Sequence, residues 1–477
     1  MDNPSIFSVP NYISLIKIIG VFLFTGLIGY FAVNYPLSIG IFIALIFFIL
    51  VLIKGPYFGI CVIVFFIPIE MIFPHGLFDI DVMNFVQQIF HKTLIYEVFL
   101  IWLIFFLMGK IKFSRSSNRF YIIFFFFFLS EILSLIFVTH ANIVNIRETH
   151  LSAYNHIRGQ IDGILLFLLI TTICNTKEML KRIIQLLYIS AVIVIIIGFI
   201  ELLLGKNLMS TQMGFTHLST LIGIRITSTF YDANNLAKFL VVMMLLIIPQ
   251  YSCRESPIQK RMIQIILPSA LVILFFTFSR GGWLILMVGL AILVFRYKYW
   301  LQARLIPWFA FFAIFLITVL FLSYNIDRLE DYFNSESYYV SRSSRLDLDW
   351  AAYEMSKASP VFGIGFGNFP LNYMKYRPEV SWWEGIQDSH NILMLKASEE
   401  GLVGLVILLL FLYYPAKMFL LKIDSSDEFI KRLKVSMGAI FLVFVVHSII
   451  YVRFLDLLMF WTFLGIGYAT HTIEEDS

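Results

Sequence analysis

Long apolar segments separated by short polar connections run along almost the whole chain. A bilayer core about 30 Å thick is crossed by a helix of about 20 apolar residues, so the pattern predicts about fourteen membrane-spanning segments. These are residues 12–32, 36–53, 56–74, 93–109, 119–138, 160–174, 181–203, 234–250, 261–279, 281–296, 304–323, 391–414, 434–452 and 454–470. We therefore expect an all-α fold, a polytopic transmembrane bundle of about 12–14 helices.

Lysine and arginine residues cluster in alternate connections between these segments, which sets the orientation because basic loops stay on the cytoplasmic side. The basic connections are 110–119, 177–182, 254–261 and 296–304, and residues 417–434 extend the pattern. Both termini are therefore predicted to be cytoplasmic. The connections around 75–92, 139–159, 204–233 and 324–390 are predicted to lie outside.

The longest outside connection, residues 324–390, is polar and aromatic and contains no apolar run that could span a bilayer. Within it, residues 343–359 are predicted to form a helix with Leu346, Trp350 and Tyr353 on one face. The chain then divides into four parts. These are N-terminal transmembrane helices (1–203), transmembrane helices with extracytoplasmic arginine motifs (204–323), the large extracytoplasmic loop (324–390) and C-terminal transmembrane helices (391–477).

Composition excludes a soluble domain. Hydrophobic residues make up 60% of the 477 residues and charged residues 14%, with a mean hydropathy of +0.86. A soluble globular chain carries about 45–50% apolar and about 25% charged residues. The net charge of +4 comes from loops that flank the membrane, so we expect a lipid bilayer as partner and no nucleic acid. Cys61, Cys174 and Cys253 lie far apart, which gives no support for a disulfide framework or a cysteine metal site.

Three groups of polar residues precede apolar segments that are predicted to enter the membrane from outside. They are Arg225 with Asp232, Asn234 and Asn235; Ser279 and Arg280 with Gly281 and Gly282; and the run Asp388, Ser389, His390 and Asn391. Helix N-termini offer free N–H donors and a partial positive charge. Ionisable residues in a membrane often mark functional sites. We therefore predict a pocket for a phosphate-bearing substrate at the outer leaflet.

Each of these groups also has a purely structural interpretation. Asn234 and Asp388 are residue types that cap helices, and Arg280 is placed where arginines reach lipid headgroups. The glycine-rich run 363–368 lacks the strand and the lysine of a phosphate loop, and is predicted to form turns. Acidic residues in or beside apolar segments are expected to pair with Arg158 or Arg453 between helices; they are Glu70, Glu97, Glu131, Asp162 and Asp456.

Four stretches of the sequence resemble the bacterial O-antigen ligase superfamily. They are Thr229-Phe-Tyr-Asp-Ala-Asn-Asn235, Phe278-Ser-Arg-Gly-Gly-Trp283, the run from Arg345 through Ser359-Pro-Val-Phe-Gly-Ile-Gly-Phe-Gly-Asn368, and Ser389-His-Asn-Ile-Leu393 followed by Glu400-Gly401. The superfamily contains integral-membrane glycosyltransferases, among them O-antigen ligases and polysaccharide polymerases. The resemblance covers about residues 220–410. Asp232-Ala-Asn234 departs from the more usual Pro-Asn of the family, which leaves the roles of Asn234 and Asn235 open.

The resemblance implies a glycan donor linked to undecaprenyl diphosphate, used at the outer face of the bacterial cytoplasmic (inner) membrane. Arg225 and Arg280 would bind the diphosphate, and His390 would lie at the transfer site. Further substrate-binding residues would be Asn234, Asn235, Arg345 and Asn391. The acceptor would be lipid A core, for a ligase, or growing polysaccharide, for a polymerase. Neither a cofactor nor a divalent metal is implied.

The implied reaction has a physical rationale in these residues. An acceptor hydroxyl attacks the anomeric carbon, and two guanidiniums with helix N-termini stabilise the charge of the departing diphosphate. His390 is predicted to lie in the first turn of a helix, where the dipole favours neutral imidazole that accepts the hydroxyl proton. A flippase or exporter of lipid-linked glycan is the rival hypothesis. It would favour pseudo-symmetric halves and charges along a transmembrane path, whereas the sharpest motifs here lie at one face.

Overall fold

The computed structural model describes residues 36–69, 80–111, 118–137, 146–208, 225–230, 232–250, 257–296, 336–378, 389–421, 425–450 and 457–475. These ranges contain fourteen helices and no strand. The helices are α1 (Pro36–Lys54), α2 (Pro56–Phe66), α3 (Ile80–Leu107), α4 (Asn118–Ile136), α5 (Ile146–Ile173), α6 (Lys177–Leu204), α7 (Ala233–Gln250), α8 (Pro257–Phe276), α9 (Arg280–Arg296), α10 (Glu336–Ala358), α11 (Phe369–Tyr376), α12 (Ile392–Leu421), α13 (Glu428–Ile450) and α14 (Leu458–Glu475). The prediction of an all-α bundle is confirmed.

Twelve of the fourteen predicted spans coincide with one of these helices, while the spans 12–32 and 304–323 lie outside the described residues. Four described helical stretches are long and apolar enough to cross a membrane. They are His156–Ile173, Lys177–Leu204, Ala233–Gln250 and Ile392–Leu421. Five shorter apolar helical stretches add to them, so the chain is a multi-pass membrane protein.

Helix α4 shows how the bundle divides its apolar residues between core and lipid. Phe124 and Phe127 are buried, whereas the side chains of Phe125 and Phe126 between them are 64% and 48% exposed. A helix that is apolar on all sides is typical of a membrane span, because its outer face contacts hydrocarbon. The phenylalanine-rich stretch therefore serves packing on one side and lipid contact on the other.

Two packing regions hold the bundle together. Helix α7 lies at its centre, with 89% of its apolar span buried, against 28% for the span of α12. A second region joins α4, α5, α12 and α14 through the rings of Phe124, Phe167, Phe411 and Trp461. Gly163 of α5 makes this packing possible, since a Cβ there would lie 1.9 Å from the Trp461 ring.

Helix α12 is broken, which the sequence pattern did not predict. Gly401 has φ 66° and ψ −159°, so the helix consists of a first half, residues 392–400, and a second half, residues 402–421. The 20 residues of the second half extend about 30 Å, which is enough to cross a bilayer core alone. The first half is therefore an additional short helix whose direction must be set by its own contacts.

The long loop contains the predicted helix with different bounds. Helix α10 covers Glu336–Ala358, and α11 follows without having been predicted. One face of α10 packs against α12, with Ala351 and Met355 buried. The face predicted from the sequence is largely exposed: Leu346, Trp350 and Tyr353 are 60%, 53% and 47% accessible. Lys357 continues this exposed face and lies over the Tyr353 ring at 5.2 Å.

Candidate active site

Arg225 is held by hydrogen bonds from two sides of its guanidinium. Nε donates to the carbonyl oxygen of Thr277 at 2.7 Å, and Nη2 donates to Oδ1 of Asn234 at 2.8 Å. The backbone N–H of Ile226 also donates to the carbonyl of Phe276 at 3.1 Å. The segment before α7 is thereby fixed to the turn between α8 and α9, which joins Arg225 to Thr277, 52 residues away in the sequence.

Asn234 joins the starts of two helices. Its Oδ1 also accepts a hydrogen bond from Oγ of Ser279 at 2.8 Å. Asp232 caps α7, because its Oδ2 accepts from the backbone N–H of Asn234 at 3.2 Å and its carbonyl accepts from Leu236. The interpretation of Asn234 as a helix cap was therefore wrong: Asp232 is the cap, and Asn234 uses its side chain to connect Arg225 with the turn before α9.

Ser279 in turn caps α9 and sets the position of Arg280. Its Oγ accepts from the backbone N–H of Gly282 at 3.1 Å, and its carbonyl accepts from Trp283. Arg280 is the first residue of α9, one residue earlier than the predicted start of the span at 281, and its side chain is exposed. Its guanidinium has no hydrogen-bond or ion-pair partner in the described part of the chain.

The two arginines leave many donors available. A guanidinium has five N–H groups, and two of those of Arg225 are used, so three remain without a protein partner among the described residues. All five of Arg280 remain. These donors lie beside the N-termini of α7 and α9, whose partial positive charge also attracts anions. The arrangement is suited to a planar, bidentate grip on phosphate oxygens.

Glu201 holds the backbone segment that carries Arg225, and the sequence analysis did not identify it. It is fully buried near the end of α6. Its Oε2 accepts from the backbone N–H groups of Thr227 and Ser228 at 3.1 and 2.8 Å, and its Oε1 accepts from Leu208 at 2.8 Å. Hydrogen bonds to a charged carboxylate are strong, so Glu201 fixes the segment that carries Arg225. An acidic residue at the end of an apolar segment was the available signal.

Two residues in these segments have strained backbone. Ser228 and Phe278 both have φ 51°, in the left-handed region that residues with a side chain seldom occupy. Such strain persists only where surrounding contacts impose it, and it clusters at functional sites. Here the two strained residues flank the hydrogen bonds that hold Arg225.

Asn235 forms a hydrogen bond with a buried lysine of the same helix, α7. Its Oδ1 accepts a hydrogen bond from Nζ of Lys238 at 3.2 Å, and the Lys238 side chain is only 1% exposed. A buried lysine must be paired with polar atoms, so Asn235 has a structural task beside the predicted role in substrate binding.

His390 belongs to a second group, built on α10 and α12. Oγ of Ser389 donates to Oδ1 of Asp349 on α10 at 3.0 Å. Asn391 caps α12, since its Oδ1 accepts from the backbone N–H of Leu393 at 3.0 Å. His390, half-buried, therefore lies one residue before the cap, and its prediction within the first turn of the helix was wrong. Asp388 lies outside the described residues.

Arg345 lies on α10, one turn before Asp349, and its side chain is exposed. Along the helix it is therefore near Asp349, the residue that binds Ser389. The hydrogen bonds that position Arg225 and those that position Ser389 form separate sets. The single pocket for all these residues stays a prediction; the structure shows how each group is fixed at its own helix start.

The glycine-rich run forms turns, as predicted, and these turns fill the break of α12. Backbone N–H groups of Ile364 and Gly365 donate to the carbonyls of Ser398 and Glu399, both at 2.9 Å. In the opposite direction, from α12 to the loop, the backbone N–H of Leu402 donates to the carbonyl oxygen of Pro360 at 2.8 Å. Backbone groups that a broken helix leaves unpaired are thus satisfied by the loop, as irregular structure within a membrane protein requires.

Glycine is required at this contact. Gly363 has φ 70°, and a Cβ there would lie 2.2 Å from the backbone carbon of Glu399. On the opposite side, a Cβ at Gly401 would lie 2.4 Å from the backbone of Val361. The loop and the break of α12 therefore fit each other only with glycine at both positions.

The glycine pair after Arg280 gives a testable contrast. A Cβ at Gly282 would lie 2.7 Å from Cβ of Ala237 on α7, whereas a Cβ at Gly281 meets nothing within 4 Å. We expect Gly282→Ala to separate α9 from α7 and to lower the melting temperature, because neither backbone can yield easily. Gly281→Ala is the matched control and should melt like the wild type. Equal melting temperatures for both variants in detergent would contradict this packing.

Comparison with known families agrees with the resemblance seen in the sequence. Residues 265–409 match the family described as O-antigen ligase. The matched stretch runs from α8 into α12 and includes Arg280, Arg345, His390 and Asn391, while Arg225 and Asn234 precede it. No curated protein matches the chain. Residues 265–409 of this multi-pass helical membrane protein therefore match the O-antigen ligase family, which supports the resemblance to the O-antigen ligase superfamily.

Proposed function

We propose that the chain transfers a glycan from undecaprenyl diphosphate to an acceptor hydroxyl at the outer face of the bacterial cytoplasmic membrane. The acceptor is lipid A core or a growing polysaccharide. The observation that carries this proposal is the pair of arginines at the starts of α7 and α9: Arg225 is held in place by hydrogen bonds, and Arg280 has an exposed guanidinium. A lipid-linked diphosphate presents its charges at the headgroup level, where such helix starts would meet it.

The arginine group would stabilise the leaving diphosphate. As the bond between the anomeric carbon and the phosphate oxygen breaks, negative charge accumulates on that oxygen. Donors that are already in place stabilise this charge without reorganisation. The guanidinium of Arg225 is held in place by Thr277 and Asn234, and the capping Ser279 fixes the backbone of Arg280 at the start of α9.

His390 would act on the acceptor. The acceptor hydroxyl forms the new bond to the anomeric carbon and gives its proton to the imidazole, which makes His390 the general base. Ser389 and Asn391 on either side are fixed by Asp349 and by the cap of α12, so the histidine is carried on a rigid segment. An in-line displacement of this kind inverts the anomeric configuration.

A transfer assay tests the proposal. Purified protein in nanodiscs, given a lipid-linked glycan and an acceptor, is expected to release undecaprenyl diphosphate without ATP or an ion gradient, because the sugar–diphosphate bond supplies the energy. The reaction should persist with a chelator of divalent cations, since the guanidiniums take the place of a metal. Parallel reactions with lipid A core and with glycan repeats distinguish a ligase from a polymerase.

The flippase hypothesis gives the opposite result in the same preparation. A flippase would form no transfer product, yet would move the lipid-linked glycan across the bilayer of proteoliposomes. Movement without product would therefore overturn the proposed function. If product were lost only when divalent cations are chelated, glycan transfer would stand as the function, but the proposal that the arginines take the place of a metal would be contradicted.

A further inference from the structure

A cluster of buried charges lies beside the broken helix. Lys396 of α12 donates from Nζ to Oε1 of Glu131 on α4 at 2.9 Å, and it also pairs with Glu400 one turn later on α12. Oε2 of Glu400 accepts from Oγ of Ser130 at 2.8 Å. All three charged side chains are at most 3% exposed. Glu131 was expected to pair with Arg158 or Arg453. In the structure it pairs with Lys396, and Arg453 lies outside the described residues.

Burial of these charges needs a reason. Two aromatic rings line the lysine, with Nζ 4.2 Å from the Phe127 ring centre and 4.9 Å from that of Phe366. Moving charged groups out of water has a large free-energy cost, and hydrophobic residues of similar volume avoid that cost. A buried ion cluster is therefore weak evidence for stability. Charged groups retained inside a membrane protein instead tend to fix a particular arrangement or serve function.

The first half of α12 is the element that this cluster fixes. It carries Lys396, follows the cap at Asn391, and ends at the break at Gly401. Because the backbone is not helical at the break, the membrane-spanning second half cannot set its direction. Its position must come from side contacts, and the ion pair with Glu131 ties it to α4.

Helix α4 also holds the loop that fills the break. Oγ of Ser134, one turn after Ser130, accepts from the backbone N–H of Phe366 at 3.0 Å. Oε1 of Glu399 accepts from the N–H of Phe369 at 3.1 Å. One stretch of α4 thus contacts both the loop and the first half of α12.

We propose that Glu131 and Lys396 are positioning residues of the transfer site, which hold the first half of α12, and with it the Ser389–His390–Asn391 segment, against α4. This proposal rests on the proposed function for its catalytic consequence. Displacement of a reacting group by about 1 Å can lower a rate up to 10²-fold, so the tether matters through the placement of His390.

Two substitutions separate positioning from a merely structural role. Glu131→Leu removes the pair between helices but leaves Lys396 paired with Glu400 within α12. Glu400→Leu removes the pair within α12 but leaves the tether to Glu131. Each variant keeps one carboxylate for one lysine, so neither leaves a buried lysine uncompensated. They are therefore matched in charge. Glu131→Leu removes the ion pair between α4 and α12, whereas Glu400→Leu keeps that ion pair and removes only the hydrogen bond from Ser130 between the two helices.

We expect Glu131→Leu to lower kcat by about 10–10²-fold with little change in the KM for the lipid-linked donor, because the donor is gripped on α7 and α9. Glu400→Leu should turn over like the wild type. Glu131→Gln, whose amide oxygen can still accept from Lys396, should fall between. Wild-type turnover in Glu131→Leu, or an equal loss in Glu400→Leu, would overturn the proposal. Should a leucine variant fail to fold, Glu131→Gln and Glu400→Gln replace the pair.

Amide hydrogen exchange gives a readout that does not depend on transfer. In Glu131→Leu, residues 392–400 should exchange faster than in the wild type, whereas in Glu400→Leu they should not. Unchanged exchange in Glu131→Leu contradicts the tether, whatever the activity. If residues 392–400 exchange faster in Glu131→Leu but the wild-type protein shows no transfer, the tether stands and the proposed function is rejected.

Discussion

Replacement of His390 with alanine is expected to lower the turnover number by about 10²–10⁴-fold, the range for loss of a general base. The histidine lies between Ser389, fixed to Asp349, and Asn391, the cap of α12. Because those neighbours are held by their own hydrogen bonds, the alanine variant should keep the local backbone and the melting temperature. Donor binding should change little, since the diphosphate is assigned to the arginines on α7 and α9.

His390→Gln is the control for this prediction. Glutamine keeps a hydrogen-bonding side chain of similar reach but cannot serve as a base at neutral pH. It should therefore lose as much turnover as alanine. Near-normal turnover in His390→Gln would reduce the histidine to a group that orients the acceptor, and a loss of donor affinity equal to the loss of rate would make it a donor ligand.

Replacement of Arg280 with alanine is expected to lower transfer by about 10²–10³-fold, the scale for removal of one donor that stabilises developing charge. The side chain of Arg280 is exposed and makes no hydrogen bond or ion pair with the described residues, so its loss should leave the fold intact. Arg280→Lys should recover little, because a point charge does not reproduce the planar fork that binds two phosphate oxygens.

The control for Arg280 lies on the same helix. Arg296 ends α9, is also exposed, and stands at the opposite end from the proposed site. Arg296→Ala should therefore leave transfer unchanged. Full activity in Arg280→Lys, or an equal loss in Arg296→Ala, would show that Arg280 serves only as an anchor in the lipid headgroups.

The membrane spans were predictable because their signal is local. About 20 consecutive apolar residues suffice to predict a span, and helices such as α6 and α7 followed this rule closely. The break of α12 was not predictable in the same way. Gly401 resembles other glycines in apolar helices, and its backbone departs from helical geometry only because Pro360 and Val361 supply the partners of the broken turn.

In the candidate site, too, the residues with a local sequence signal were predictable, and those that depend on contacts between distant segments were not. The residue types and their places at helix starts indicated Arg225, Arg280 and His390. Their supports depend on contacts between distant segments: Glu201 binds backbone about 26 residues away, and Lys396 pairs across 265 residues with Glu131. A hydrogen bond of that kind leaves no periodic trace in a sequence. The sequence therefore placed Glu131 in an apolar segment but did not indicate Lys396 as its partner, nor the backbone contacts of Glu201.

The two ends of the bundle provide labels for a test of sidedness. Ala358 is exposed at the end of α10, whose Asp349 binds the residue before His390. Asn175 is exposed just before α6, near Lys177, which pairs with Asp427 at the start of α13. Since α13 follows the far end of α12, the two positions mark opposite ends. Single cysteines there, with the native cysteines replaced by serine, report orientation through an impermeant maleimide.

The most direct test of the central claim is glycan transfer in such oriented proteoliposomes, with a membrane-impermeant acceptor supplied to one side at a time. The donor is present in both leaflets. We predict a glycosylated acceptor and free undecaprenyl diphosphate when the acceptor is on the side where Ala358→Cys is labelled. The account is contradicted if product forms only when the acceptor is on the side of Asn175→Cys, or if neither side gives product.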